Sequence, residues 1–188
     1  MSCFRILSAG ILALVLGACQ NPGSESAQII GARANLVDPS GYSVGVADFV
    51  EGDLTSGVVI HVRAWGLTPG RHGMHIYALG SCEKPDFETA GGHFNPFGRK
   101  HGLKNPEGPH AGDLPNLTVG PDGRADMTVT NRLVTLRPGK NTLLGTSGTS
   151  LMIHADPDDE VTDPAGNSGP RIACGVIWGP PPSDINAK

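Results

Sequence analysis

His93, His101, His110 and Asp113 place three imidazoles and a carboxylate within 21 residues of a 188-residue chain. Donors of this kind suit a tetrahedral zinc ion, and a segment carrying four of them can wrap an ion unaided. On spacing alone, the same four residues are equally compatible with a solvated polar loop. A second grouping lies in "GRHGMHIY", residues 70–77, where a strand puts His75 and Tyr77 on one face and His72 on the other. Ligands at i and i+2 are the natural way for a strand to hold a metal, yet only one of these two is histidine. His154 ends the apolar run Leu151-Met152-Ile153 and can reach the same ion.

Short strands must position these side chains. Apolar or alternating stretches recur at Ile29–Val37, Tyr42–Val50, Gly57–Trp65, Gly73–Leu79, Ala125–Thr130, Thr149–His154 and Ile172–Trp178. Turn signals such as Asp38-Pro39-Ser40-Gly41, Thr68-Pro69-Gly70, Pro121-Asp122-Gly123 and Pro138-Gly139 separate them. The 27 glycines and 16 prolines punctuate these runs instead of clustering. No window carries a 3.6-residue apolar period. The sequence therefore predicts one all-β domain, a sandwich or barrel with two long loops at roughly 80–120 and 155–171. Loops of that length in a compact domain usually carry function or are disordered.

The ends read differently. Residues 1–18 combine a short basic start with an apolar run too short to span a bilayer, the layout of a secretory signal. Leu16-Gly17-Ala18-Cys19 resembles a bacterial lipobox, which makes Cys19 the lipidated mature N-terminus; a plain signal peptide cut nearby is the alternative. Residues 19–28 then form a flexible tether, 29–179 the domain, and 180–188, "PPPSDINAK", a disordered tail. The expected location is the periplasm, with outer-membrane contact only through the lipid. Cys3 leaves with the leader and Cys19 carries the lipid, so Cys82 and Cys174 remain as one disulfide pair in an oxidising compartment. Closing a loop of that size stabilises a fold by about 4 to 5 kcal/mol in the chain-entropy model. The formal net charge of −4 and the lack of a basic stripe exclude nucleic acid as a partner.

"GRHGMHIY", "GGHFNPFGRKHG", "HAGDLPNL", "LMIHADPDD" and "GPRIACGVIWG", in this order and spacing, resemble the copper/zinc superoxide dismutase family. The resemblance runs from near Ile29 to Gly179. It implies a Greek-key β-sandwich barrel of eight antiparallel strands, copper and zinc as cofactors, and superoxide as a small anionic substrate. It makes His93 the imidazolate joining the two metals, completes the zinc set with His101, His110 and Asp113, and gives copper His75 and His154. Asp158 is implied as the carboxylate linking a ring from each set, His72 as a brace for the copper strand, and Arg171 as the docking point for superoxide. The resemblance also pairs Cys82 with Cys174. Bacterial members are monomers or homodimers, and both states remain open.

Two positions depart from the pattern. Tyr77 stands where the family has a further copper ligand. As a phenolate it is a hard donor favouring Cu(II); otherwise it packs or hydrogen-bonds beside a three-histidine copper. Residues 155–170 contain five acids and no Lys or Arg, so Arg171 ends a loop poorly suited to attracting an anion unless Arg71, Arg99 or Lys100 compensates. Two readings follow: an exported dismutase with reduced activity, or a metal-binding dismutase-like lipoprotein that stores or buffers copper and is stabilised by zinc.

Overall fold

The computed structural model describes residues 29–52 and 56–179. The expected leader, tether and tail lie outside the described residues. Eight strands follow one another: β1 (Ile30–Val37), β2 (Ser43–Glu51), β3 (Val58–Ala64), β4 (Gly70–Tyr77), β5 (Asp113–Val119), β6 (Ala125–Asn131), β7 (Thr149–His154) and β8 (Arg171–Ile177). They form one sheet in the order β5-β4-β7-β8-β1-β2-β3-β6, and every ladder is antiparallel. The chain leaves β3, next to one end of this order, crosses to β4 near the other, and returns from β5 to β6 beside β3, which is a Greek-key path. The edge strands β5 and β6 approach each other, so the sheet curls into a nearly closed barrel. The all-β, Greek-key expectation holds.

The two halves of the barrel bury themselves differently. In β1, Ala32, Ala34 and Leu36 are buried and alternate with Arg33 and Asn35; in β3, Val58, Ile60, Val62 and Ala64 alternate with Val59, His61 and Arg63. The inward set, with Ala47 and Phe49 of β2, builds the core. The outward set faces water and carries polar pairs: Asp48 holds Arg33 at 2.6 Å and Arg63 at 2.8 Å as ion pairs, and His61 Nε2 lies 2.8 Å from an Asp126 oxygen. Such exposed pairs contribute little to stability. In β4 and β7 the alternation disappears: His72 to Tyr77 and all six residues of β7 are buried. Their inner face supplies Met74, Ile76, Leu151 and Ile153 to the core, and loops cover their outer face.

Three expectations need correction. β5 lay inside a predicted loop, because "DLPNLTV" holds a proline and three polar residues and shows no clean period. Proline is tolerated here because β5 is an edge strand, where a missing N–H costs no ladder bond. β4 begins at Gly70, three residues before the predicted start, and ends at Tyr77. A third long connection, residues 132–148, also escaped notice; it sends Val134, Leu136 and Leu143 into the core. Buried Glu51 holds this connection, accepting from the Thr135 hydroxyl at 2.8 Å and the Leu136 N–H at 2.7 Å.

Candidate metal centre

On the outer face of β4, the loop 78–112 folds back across the strand. The Ile76 N–H donates to the Gly112 carbonyl at 2.8 Å, and the Phe94 N–H donates to the Ile76 carbonyl at 2.8 Å. A side chain at 112 would collide with the Ile76 backbone, so only glycine permits this approach. The crossing lays His93 against Tyr77 in an isolated bridge and stacks the His93 and His75 rings at 4.1 Å. β7 contributes His154, which pairs across the ladder with Arg171 at a bulge after Ile153. Two residues on from Met152, His154 keeps to the outer face of the sheet with His75, and their ring centroids are 5.1 Å apart.

Two ligand sets result, and His93 belongs to both. In the first, His93, His101, His110 and Asp113 offer atoms all within 4.8 Å of one another. The Nδ1 atoms of His93, His101 and His110 lie 3.0, 3.1 and 3.3 Å from one Asp113 oxygen, and those of His93 and His110 are 3.4 Å apart. Ligands about 2.0–2.1 Å from a tetrahedral zinc would be about 3.3–3.4 Å from each other, so these spacings fit zinc. The second Asp113 oxygen accepts from the Gly102 and His110 N–H groups, each at 2.9 Å, which fixes the carboxylate.

In the second set, His75, His93 and His154 likewise offer atoms within 4.8 Å of one another. His75 Nδ1 and His93 Nε2 are buried without a hydrogen-bond partner. Orphaned nitrogens are costly in a folded interior and suit a copper ion. His154 Nε2 differs: the Tyr77 hydroxyl lies 3.0 Å from it. Tyr77 is 2% exposed and packs with Phe87, Ala90, Met152 and Cys174, while the Arg171 guanidinium sits 4.6 Å above its ring.

Asp158 joins the sets. One of its oxygens lies 2.8 Å from His75 Nε2 and the other 3.1 Å from His101 Nε2. Gly166, at φ 63°, leaves the room this carboxylate occupies. His72 sits beneath, with Nδ1 2.7 Å from the His154 carbonyl and Nε2 2.8 Å from the Thr68 carbonyl. The candidate ligands, Asp158 and His72 thus converge, while Asp156 and Asp159, close to Asp158 in sequence, are exposed.

Charges follow burial. Burial pushes His75 down to about 3 despite its bond to Asp158, and pushes His154 down to about 4. His93 is lowered by the same cause. Burial also disfavours a charged His101, but its bonds to Asp113 and Asp158 outweigh this and raise it to about 9. Burial would raise the Asp113 and Asp158 carboxyls, yet their histidine partners hold both well below the usual carboxylate range. Burial raises the Tyr77 phenol, partly offset by Arg171.

The disulfide Cys82–Cys174 is formed, with Cα atoms 5.7 Å apart. It ties the loop to β8 beside Arg171, whose guanidinium donates to the Phe87 carbonyl at 2.6 Å and the Gly91 carbonyl at 2.8 Å. Arg71 and Lys100 do not gather at this mouth. Glu160 pairs with Lys104 at 2.6 Å and Arg71 at 3.8 Å, and Asp163 pairs with Lys100 at 3.2 Å. Reasoning from sequence missed two kinds of residue. Asp86 and Glu88 line the depression that Arg171 opens into. Asn116 pins the Asp158 backbone from both sides, at 2.9 and 2.7 Å. None of the three carries a signal in its type or spacing.

A Greek-key barrel mounting two ligand sets on a shared histidine defines a class of paired-metal β-barrel proteins. The profile of the copper/zinc superoxide dismutase (SODC) family matches residues 43–177, and the chain belongs to that family. The chain is 49% identical over 152 residues to superoxide dismutase [Cu-Zn] 2 of Aquifex aeolicus, covering 80% of this chain and 88% of that one. It is 46% identical over 151 residues to the superoxide dismutase-like protein YojM of Bacillus subtilis, covering 79% and 76%. The crystal structure of a SOD-like protein from Bacillus subtilis matches with a TM-score of 0.75 at 44% identity, covering 78% and 97%. The family's cofactors are copper and zinc, and the two donor sets fit them.

Proposed function

We propose that this protein is a copper/zinc superoxide dismutase of the cell envelope, working below the rate its architecture would permit. The observation that carries this reading is His93, which turns Nδ1 toward the zinc set and leaves Nε2 buried and unpartnered toward the copper set. When bound, copper supplies the one-electron exchange that turns two superoxide ions and two protons into dioxygen and hydrogen peroxide, while zinc supplies fixed charge. The chain's own residues do the rest. Arg171, braced by two carbonyls, presents cationic charge to an arriving anion. His93 Nε2 offers a site where a proton can be taken up and released. Asp158 fixes the ring orientation of His75 and His101. The Cys82–Cys174 disulfide suits an oxidising compartment, in keeping with export and a lipid anchor at Cys19.

Tyr77 and the acids at the mouth favour reduced turnover. They also support a second reading, in which the protein stores or buffers copper without useful dismutation. Metal analysis with a superoxide-consumption assay separates the two. One firmly held zinc per chain, with consumption that appears on adding copper, is the expected result. Zinc with inert copper sinks the enzymatic reading.

A further inference from the structure

His154 Nδ1 lies 2.9 Å from the Gly169 carbonyl, which can only accept a hydrogen bond. Nδ1 therefore carries the proton of the neutral ring, and Nε2 is left with its lone pair. The Tyr77 hydroxyl, 3.0 Å away, must be the donor to that lone pair. This makes His154 unlike its two companions, whose facing nitrogens, His75 Nδ1 and His93 Nε2, have no partner. A metal bound to His154 Nε2 would need the direction that the phenol already occupies. The phenol cannot simply swing aside, because Phe87, Ala90, Met152 and Cys174 pack against Tyr77 and Arg171 covers its ring.

We propose that Tyr77 is a latch on the copper set: its hydroxyl satisfies the His154 nitrogen that copper needs, so copper enters only by displacing that hydrogen bond. The proposal rests on the copper/zinc reading above, and its consequence is that copper is held more weakly than zinc. The zinc set contains no competitor of this kind. Its four ligand atoms face one another, and Tyr77 bonds none of them. A latch also differs from a ligand. A coordinating phenolate would strengthen copper binding, whereas a latch opposes it.

The test is copper titration of the zinc-loaded protein against a chromophoric chelator, for the wild type, Tyr77→Phe and Tyr77→His. Phenylalanine keeps the ring and its packing but removes the donor. The expected result is copper binding on the order of tenfold tighter in Tyr77→Phe, as loss of one competing hydrogen bond allows, and tighter still in Tyr77→His. Equal or weaker binding in Tyr77→Phe overturns the latch, as does a phenolate-to-copper charge-transfer band in the wild type. If Tyr77→Phe fails to fold, the wild-type spectrum and Tyr77→His decide: the band, or no gain from histidine, overturns it. If none of the three proteins takes up copper while zinc is held, the copper reading falls and the latch falls with it.

Discussion

The two ligand sets share His93 yet are prepared in opposite ways. On the zinc side, three imidazole nitrogens surround one Asp113 oxygen, whose partner oxygen is fixed by backbone N–H groups. On the copper side, two nitrogens lack partners and a phenol covers the third. One half is arranged around its ion; the other half satisfies itself in part without one. The contrast shows that a donor set can be nearly complete by residue type and still be poised against its metal.

The largest effect should come from breaking the zinc half. Asp113→Ala removes the oxygen that three rings surround and strands the Gly102 and His110 N–H groups, so zinc affinity should fall by about 100-fold or more. Metal analysis after dialysis against a zinc buffer checks this. Loss of copper binding alone, with zinc retained, would reverse the comparison.

The pH dependence of the metal-free protein sharpens it further. His75 and His154 have folded values near 3 and 4 against 6.5 unfolded, so their contribution is present above pH 6.5 and lost as pH falls toward 3–4. His101 acts in the opposite sense. Raised to about 9, it contributes fully below pH 6.5 and its contribution is lost as pH rises through 9. Urea denaturation in the presence of a chelator should therefore show maximal stability near pH 6.5, declining on both sides. A curve that keeps rising above pH 9 would remove His101 from this role.

The smallest effect concerns the mouth. Replacing Asp86 and Glu88 with serine should raise the superoxide consumption rate of the copper-loaded protein a few-fold at low ionic strength, and the gain should vanish in high salt. A gain that persists in salt would point to a local rearrangement instead of a field.

Much of this was legible in the chain. Seven strands announced themselves through alternation and turn residues, and the ligand sets through histidines whose type limits what they can do. β5 was not legible, because an edge strand may keep a proline and polar residues that a central strand would reject. Nor was the bond from Tyr77 to His154. Sequence places the two residues 77 apart, and only the ladder between β4 and β7 brings phenol and imidazole together. The fate of the loop acids was hidden for the same reason, since Lys104 and Arg71 reach Glu160 from other segments.

β5 carries one more consequence. Between Leu114 and Leu117 it advances three residues while β4 advances two, so Pro115 and Asn116 form a bulge. The missing N–H and the kink make this border a poor template for a stray strand from another molecule. The same defect frees Asn116 to grip the backbone of Asp158, which serves one ring from each set. A safeguard against sticking and the alignment of two metal pockets thus depend on one misstep in the weave.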